Sequence, residues 1–182
     1  MKRGKIVNLL MVVFFIGALS GCATPEHKPS TFLPDENAEL VSFKPGLEPD
    51  GFAGIKWETE ISTLPGMMYY RNDPSHGGIT FYVREGEPFK LGKGKVRLIQ
   101  YGFWKGKFYV GMVTTQGLSN WDALKAAVFD QYGKGAHPFI NKEEYLWVGE
   151  NSIGALRYDE TSKAGTFYIR SESLKKKMES EK

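Results

Sequence analysis

Cysteine is almost absent: the chain of 182 residues has one, Cys22. A lone cysteine excludes an intrachain disulfide and a thiolate-rich metal site, so the fold must stand on packing alone. Histidine is nearly as scarce. His27, His76 and His137 stand apart, with no His-x-x-x-His spacing to set two imidazoles on one helix face. No Gly-x-Ser-x-Gly elbow occurs, and Gly92-Lys93-Gly94-Lys95 lacks the spacing and the Ser or Thr of a phosphate-binding loop. Charge of one sign is missing as well. The formal net charge is +3, but Lys2, Arg3 and Lys5 account for it, and the rest of the chain balances. That removes any global electrostatic case for nucleic acid. The longest apolar run, 6–19, falls short of the roughly 20 residues that a spanning helix needs.

What is there begins with that run. A basic stretch precedes it, and Leu19-Ser20-Gly21-Cys22 closes it with small residues, the three-part order of a secretory signal peptide. The motif Leu19-Ser20-Gly21-Cys22 resembles the processing box of bacterial lipoprotein precursors at every position. The resemblance implies that residues 1–21 are removed and that Cys22 carries lipid, with two or more acyl chains giving a firm anchor. Ala23, in place of Asp, points by the same resemblance to the outer membrane and its periplasmic face, the inner membrane and cell surface being the alternatives.

Residues 22–50 carry Pro25, Pro29, Pro34, Pro45 and Pro49 among polar neighbours and read as an extended tether. Only the stretch Glu39-Leu40-Val41-Ser42-Phe43 has a pattern able to pack on the domain. A single α+β domain is expected over 51–171: a strand at 51–57, a short helix within 58–64, strands at 67–71 and 79–85, and a hairpin over 96–115. Lys105-Gly106 supplies the two-residue turn, the glycine taking positive φ. In that register Phe103 faces Phe108 and Tyr101 faces Val110. Trp121, Leu124, Val128 and Tyr132 recur at three, four and four, one apolar helical stripe, with Ser119 and Asp122 as a capping box and Gly133 as the stop. Strands at 144–148, 153–159 and 166–171 follow, then a charged tail, 172–182. The order predicts a curved antiparallel sheet of about seven to eight strands packed on one main helix. It resembles the strand–helix order of TATA-binding-protein-like and helix-grip folds, a likeness that carries no function.

Chemistry is sparse. Asp73 and His76 share one turn-forming loop and form the best polar pair for binding a ligand. Glu143, Glu144, Glu150, Asp159 and Glu160 are carboxylates at strand ends and turns, the type that glycoside hydrolysis uses in pairs; solvated turn charge is the default reading of them. Trp104 and Tyr109 flank the Lys105-Gly106 turn and are the aromatics expected at the surface, for a partner or a glycan. No catalytic set, metal site or cofactor emerges. The expected function is a membrane-anchored, non-catalytic interaction or assembly module of the periplasm with an envelope protein partner. The alternative is an envelope ligand-binding protein or hydrolase acting on peptidoglycan or a small molecule.

Overall fold

The computed structural model describes residues 41–181 except 92 and 140, all within the compact unit Leu33–Lys182. Residues 1–40, and with them Cys22, the expected signal segment and most of the expected tether, lie outside the described residues. In chain order the elements are β1 (Gly51–Phe52), β2 (Ile55–Lys56), a 3-10 turn (Ile61–Thr63), β3 (Met67–Asp73), a second 3-10 turn (Ser75–Gly77) and β4 (Ile79–Arg84). Then come β5 (Lys90–Leu91), β6 (Gly94–Lys95), β7 (Leu98–Trp104), β8 (Lys107–Gln116), α1 (Leu118–Tyr132), β9 (Glu144–Val148), β10 (Ser152–Asp159), β11 (Ala164–Ser171) and α2 (Glu172–Ser180). Seven strands make one antiparallel, curved and unclosed sheet in the order β3-β4-β7-β8-β11-β10-β9. This is an α+β domain. The segment 51–57, expected as a first sheet strand, turns back on itself instead. Ala53 and Gly54 both have positive φ, and among the described residues β1 and β2 pair only with each other.

The helical stripe is observed as expected: Trp121, Leu124, Val128 and Tyr132 are buried on one face of α1. They meet Trp147, Leu156, Phe167 and Ile169 of the sheet. The cap is different. Gly117 is the N-cap and no side chain caps the helix, so Ser119 lies inside the first turn and the capping box does not form. Asn120 holds this end in another way, donating to the Gln116 carbonyl at 2.7 Å and accepting the Lys95 N–H at 2.9 Å.

The β7–β8 turn forms at Lys105-Gly106 with positive φ at both residues, and Phe103 faces Phe108. Beyond that pair the expected register slips by one. A bulge leaves Tyr109 unpaired, so Gly102 faces Val110 and Tyr101 faces Gly111. An extra residue in one strand puts two neighbours on the same side, and Tyr109 and Val110 both join the face opposite α1.

Two boundaries differ from the sequence reading. Residues 41–50 belong to the domain. The Val148 N–H donates to the Val41 carbonyl at 3.1 Å and the Lys44 N–H to the Tyr132 carbonyl at 3.0 Å. Phe43 is buried edge-on against Tyr132, ring centroids 5.7 Å apart. At the other end, 172–181 contains no loose tail. Ser171 caps α2 by accepting the Leu174 N–H, and Leu174 and Met178, four residues apart, are buried on the sheet. Spacing of four places both on one helical stripe. Of the lysines between them, Lys176 and Lys177 take the solvent side and Lys175 is half-buried; Lys177 pairs with Glu58.

Candidate functional site

An antiparallel sheet that does not close has two edges, each a row of backbone donors and acceptors. Here the β9 edge is covered. Ala136 exchanges both backbone hydrogen bonds with Leu146, at 2.8 and 2.9 Å, and Val41 takes the next position. The β3 edge, among the described residues, pairs only with β4 on its inner side. It also carries, among the described residues, three consecutive exposed apolar side chains. Met68, Tyr69 and Tyr70 are 49%, 66% and 48% exposed. A bulge between Tyr69 and Arg71 interrupts the alternation and turns consecutive rings outward.

The strand beneath those rings is firmly held. Tyr69 stands edge-on to Tyr82, centroids 6.3 Å apart. Arg71 lies 4.0 Å above the Phe81 ring, donates from Nε to Gln100 Oε1 at 3.4 Å and pairs through Nη1 with Asp73 Oδ2 at 3.4 Å. Asp73 accepts the Ser75 hydroxyl and N–H. The Ser75 hydroxyl first, then its amide and Arg71, outweigh partial burial and hold the Asp73 carboxyl below the usual range. Asp73 is therefore ionised and occupied as the organiser of its own turn. His76 lies in the 3-10 turn Ser75–Gly77; its side chain, and so its pairing with Asp73, falls outside what is described.

Trp104 and Tyr109 are not surface residues. They are 5% and 4% exposed and form a second core with Ile79, Phe81, Val110, Leu174 and Met178. The segment expected to be a tail covers them. Burial pushes the Tyr109 hydroxyl up in spite of Arg170 nearby. Gly102 lies in the same layer, where a Cβ would stand 2.5 Å from Val110 Cγ1 and 2.9 Å from Phe81 Cε1. The space beside this glycine is filled from within the chain.

The carboxylates are partly brought together. Glu143, Glu144, Asp159 and Glu160 line a cleft of about 590 Å³ with Lys142 and Arg157, while Glu150 lies beside a different one. Their bonds are structural. Glu143 meets Lys125 at 3.3 Å and the Tyr145 hydroxyl at 3.1 Å, and Glu144 faces Arg157 in register. Asp159 accepts the Ser162 N–H and hydroxyl at 2.7 and 2.8 Å, which hold its carboxyl low. A general acid requires the opposite displacement. Among the described residues no three His, Cys, Asp or Glu side chains converge to hold a metal, and no helix is long and apolar enough to cross a membrane.

Met68, Tyr69 and Tyr70 escape a reading of the sequence because strand order, and with it the identity of an edge, depends on tertiary contacts. One signal was present: Met67-Met68-Tyr69-Tyr70 is an unbroken apolar run in a strand that should alternate. Comparison with known proteins returns no matching family model, no matching curated protein and no matching solved structure.

Proposed function

We propose that this chain is a membrane-anchored envelope lipoprotein, held through lipid on Cys22 at the periplasmic face of the outer membrane. Its domain serves as a non-catalytic interaction or assembly module. The observation that carries the reading is the β3 edge, which no described residue pairs on its outer side, with Met68, Tyr69 and Tyr70 exposed on it. Unpaired backbone groups supply affinity for an extended segment of an envelope protein partner, and adjacent side chains supply selectivity. The bulge and the Arg71–Asp73 pair on the same strand are features that limit indiscriminate edge pairing. The polar clusters elsewhere are engaged in holding turns and helices, which supports binding over catalysis.

The test is site-specific photo-crosslinking in cells with the full-length chain. A photoreactive residue replaces Tyr69, and another replaces Leu118, which is comparably exposed but lies on α1 and not on the β3 edge. A discrete protein adduct from position 69 alone, lost when Cys22→Ala misplaces the chain, is the expected result. Adducts that are absent, or the same from both positions, would remove the reading.

A further inference from the structure

Residues 88–97 contain Lys90, Lys93, Lys95 and Arg97 and no acidic residue, although the mature chain as a whole is balanced. The fold displays these cations. Leu91 packs against the main core and Val96 is buried. Gly94 lies so close to α1 that a Cβ there would stand 2.5 Å from Ala123 Cβ. With Leu91, Gly94 and Val96 inward, the alternation sends Lys90, Lys95 and Arg97 outward, and Lys93 is exposed at the turn. The register then sets Lys90 directly opposite Lys95, and like charges facing each other across an antiparallel pair are destabilising. Among the described residues none of the four cations has an acidic partner in an ion pair; the Arg97 guanidinium donates to the Gln116 side chain at 3.0 Å. Phe89, immediately before the hairpin, is 54% exposed.

We infer that the β5–β6 hairpin with Phe89 docks the domain onto an anionic phospholipid leaflet. Uncompensated, facing cations call for a polyanionic counterpart, and clustered Lys and Arg near a membrane are drawn to anionic headgroups. The aromatic ring selects the kind of polyanion. At a bilayer surface, negative headgroups overlie hydrocarbon, so cations and an apolar ring are satisfied together at adjacent depths. A polynucleotide or an acidic protein surface has no such layer beneath its charge. The inference rests on the membrane-anchored reading for the presence of a leaflet.

The experiment uses the full-length chain reconstituted into vesicles, with an environment-sensitive fluorophore attached at Phe89→Cys. Vesicles of phosphatidylethanolamine with phosphatidylglycerol are compared with vesicles of phosphatidylcholine alone. The expected result is a blue shift and a several-fold rise in emission only on the anionic vesicles, abolished by molar salt. Lys90→Gln, Lys93→Gln and Lys95→Gln together should weaken the response about a hundredfold, roughly fivefold for each cation. These side chains are exposed, and unchanged circular dichroism would confirm that the variant is folded. Equal emission on both vesicle types would overturn the inference. So would a lysine-dependent response to a soluble oligonucleotide without one to vesicles. Intact mass reports separately whether Cys22 carries lipid, so failure of the anchor is distinguished from failure of the hairpin.

Discussion

The sharpest test of the fold is Leu174→Ala. Leu174 is fully buried on α2 and closes the layer containing Trp104, Tyr109 and Val110. Removing a buried leucine side chain forfeits its transfer free energy and leaves a cavity, together costing about 3–5 kcal/mol where the walls cannot collapse. Sheet residues on one side and a short helix on the other leave some room to relax, so the lower end, about 3 kcal/mol, is expected. For a domain of this size that corresponds to a melting temperature lower by roughly 10 °C. Urea unfolding of the full-length chain, followed by tryptophan fluorescence, measures the change in midpoint. Acrylamide quenching adds an independent reading, since a chain truncated after Ser171 should expose Trp104. A loss below about 0.5 kcal/mol, typical of a surface position, would refute the reasoning: α2 would then be a frayed tail and Trp104 open to solvent.

Phe43→Ala should cost about 3 kcal/mol or more in the same unfolding assay, because Phe43 packs against Tyr132 in the main core; an unchanged midpoint would return residues 41–50 to the tether. Gly102→Ala should destabilise by about 1–3 kcal/mol through overpacking against Val110, Phe81 and Ile79, whereas a neutral result would refute the close packing there. Glu87 tests the electrostatics. Burial raises its carboxyl, but hydrogen bonds from Arg84 and the Tyr101 hydroxyl prevail and leave it lowered from 4.5. A lowered folded value contributes stability that is complete above the unfolded value and lost as pH falls through the folded one. Glu87→Gln should therefore cost ~2 kcal/mol at neutral pH, with the gap to the parent chain narrowing in urea titrations below about pH 4.5; a gap independent of pH would show that ionisation of Glu87 contributes nothing.

Local pattern carried much of the architecture. The stripe Trp121, Leu124, Val128 and Tyr132 made α1 legible because a period near 3.6 is a property of the residues alone. Lys105-Gly106 placed the β7–β8 turn for the same reason, the glycine admitting a backbone conformation that other residues resist. Segments whose form depends on their neighbours were less legible. The bulge at Tyr109 moved the register because packing on α2 draws Tyr109 and Val110 to the same side. The Lys-rich end looked like a solvated tail, although Ser171, Leu174 and Met178 already had the spacing of a capped amphipathic turn.

The sequence by itself determined the balance of charge, the α+β class, the helix stripe and most strand segments, since each follows from composition or from short-range periodicity. Tertiary structure alone decided which strand lies at an open edge, that Trp104 and Tyr109 are covered, and that Lys90 faces Lys95. Those outcomes depend on residues far apart in the chain: Val41 and Ala136 cover β9, whereas β3 pairs among the described residues with β4 alone, and Leu174 seals a layer made more than sixty positions earlier. Local pattern sets which face of an element is apolar, whereas long-range packing determines what meets that face and which surface is left for a partner.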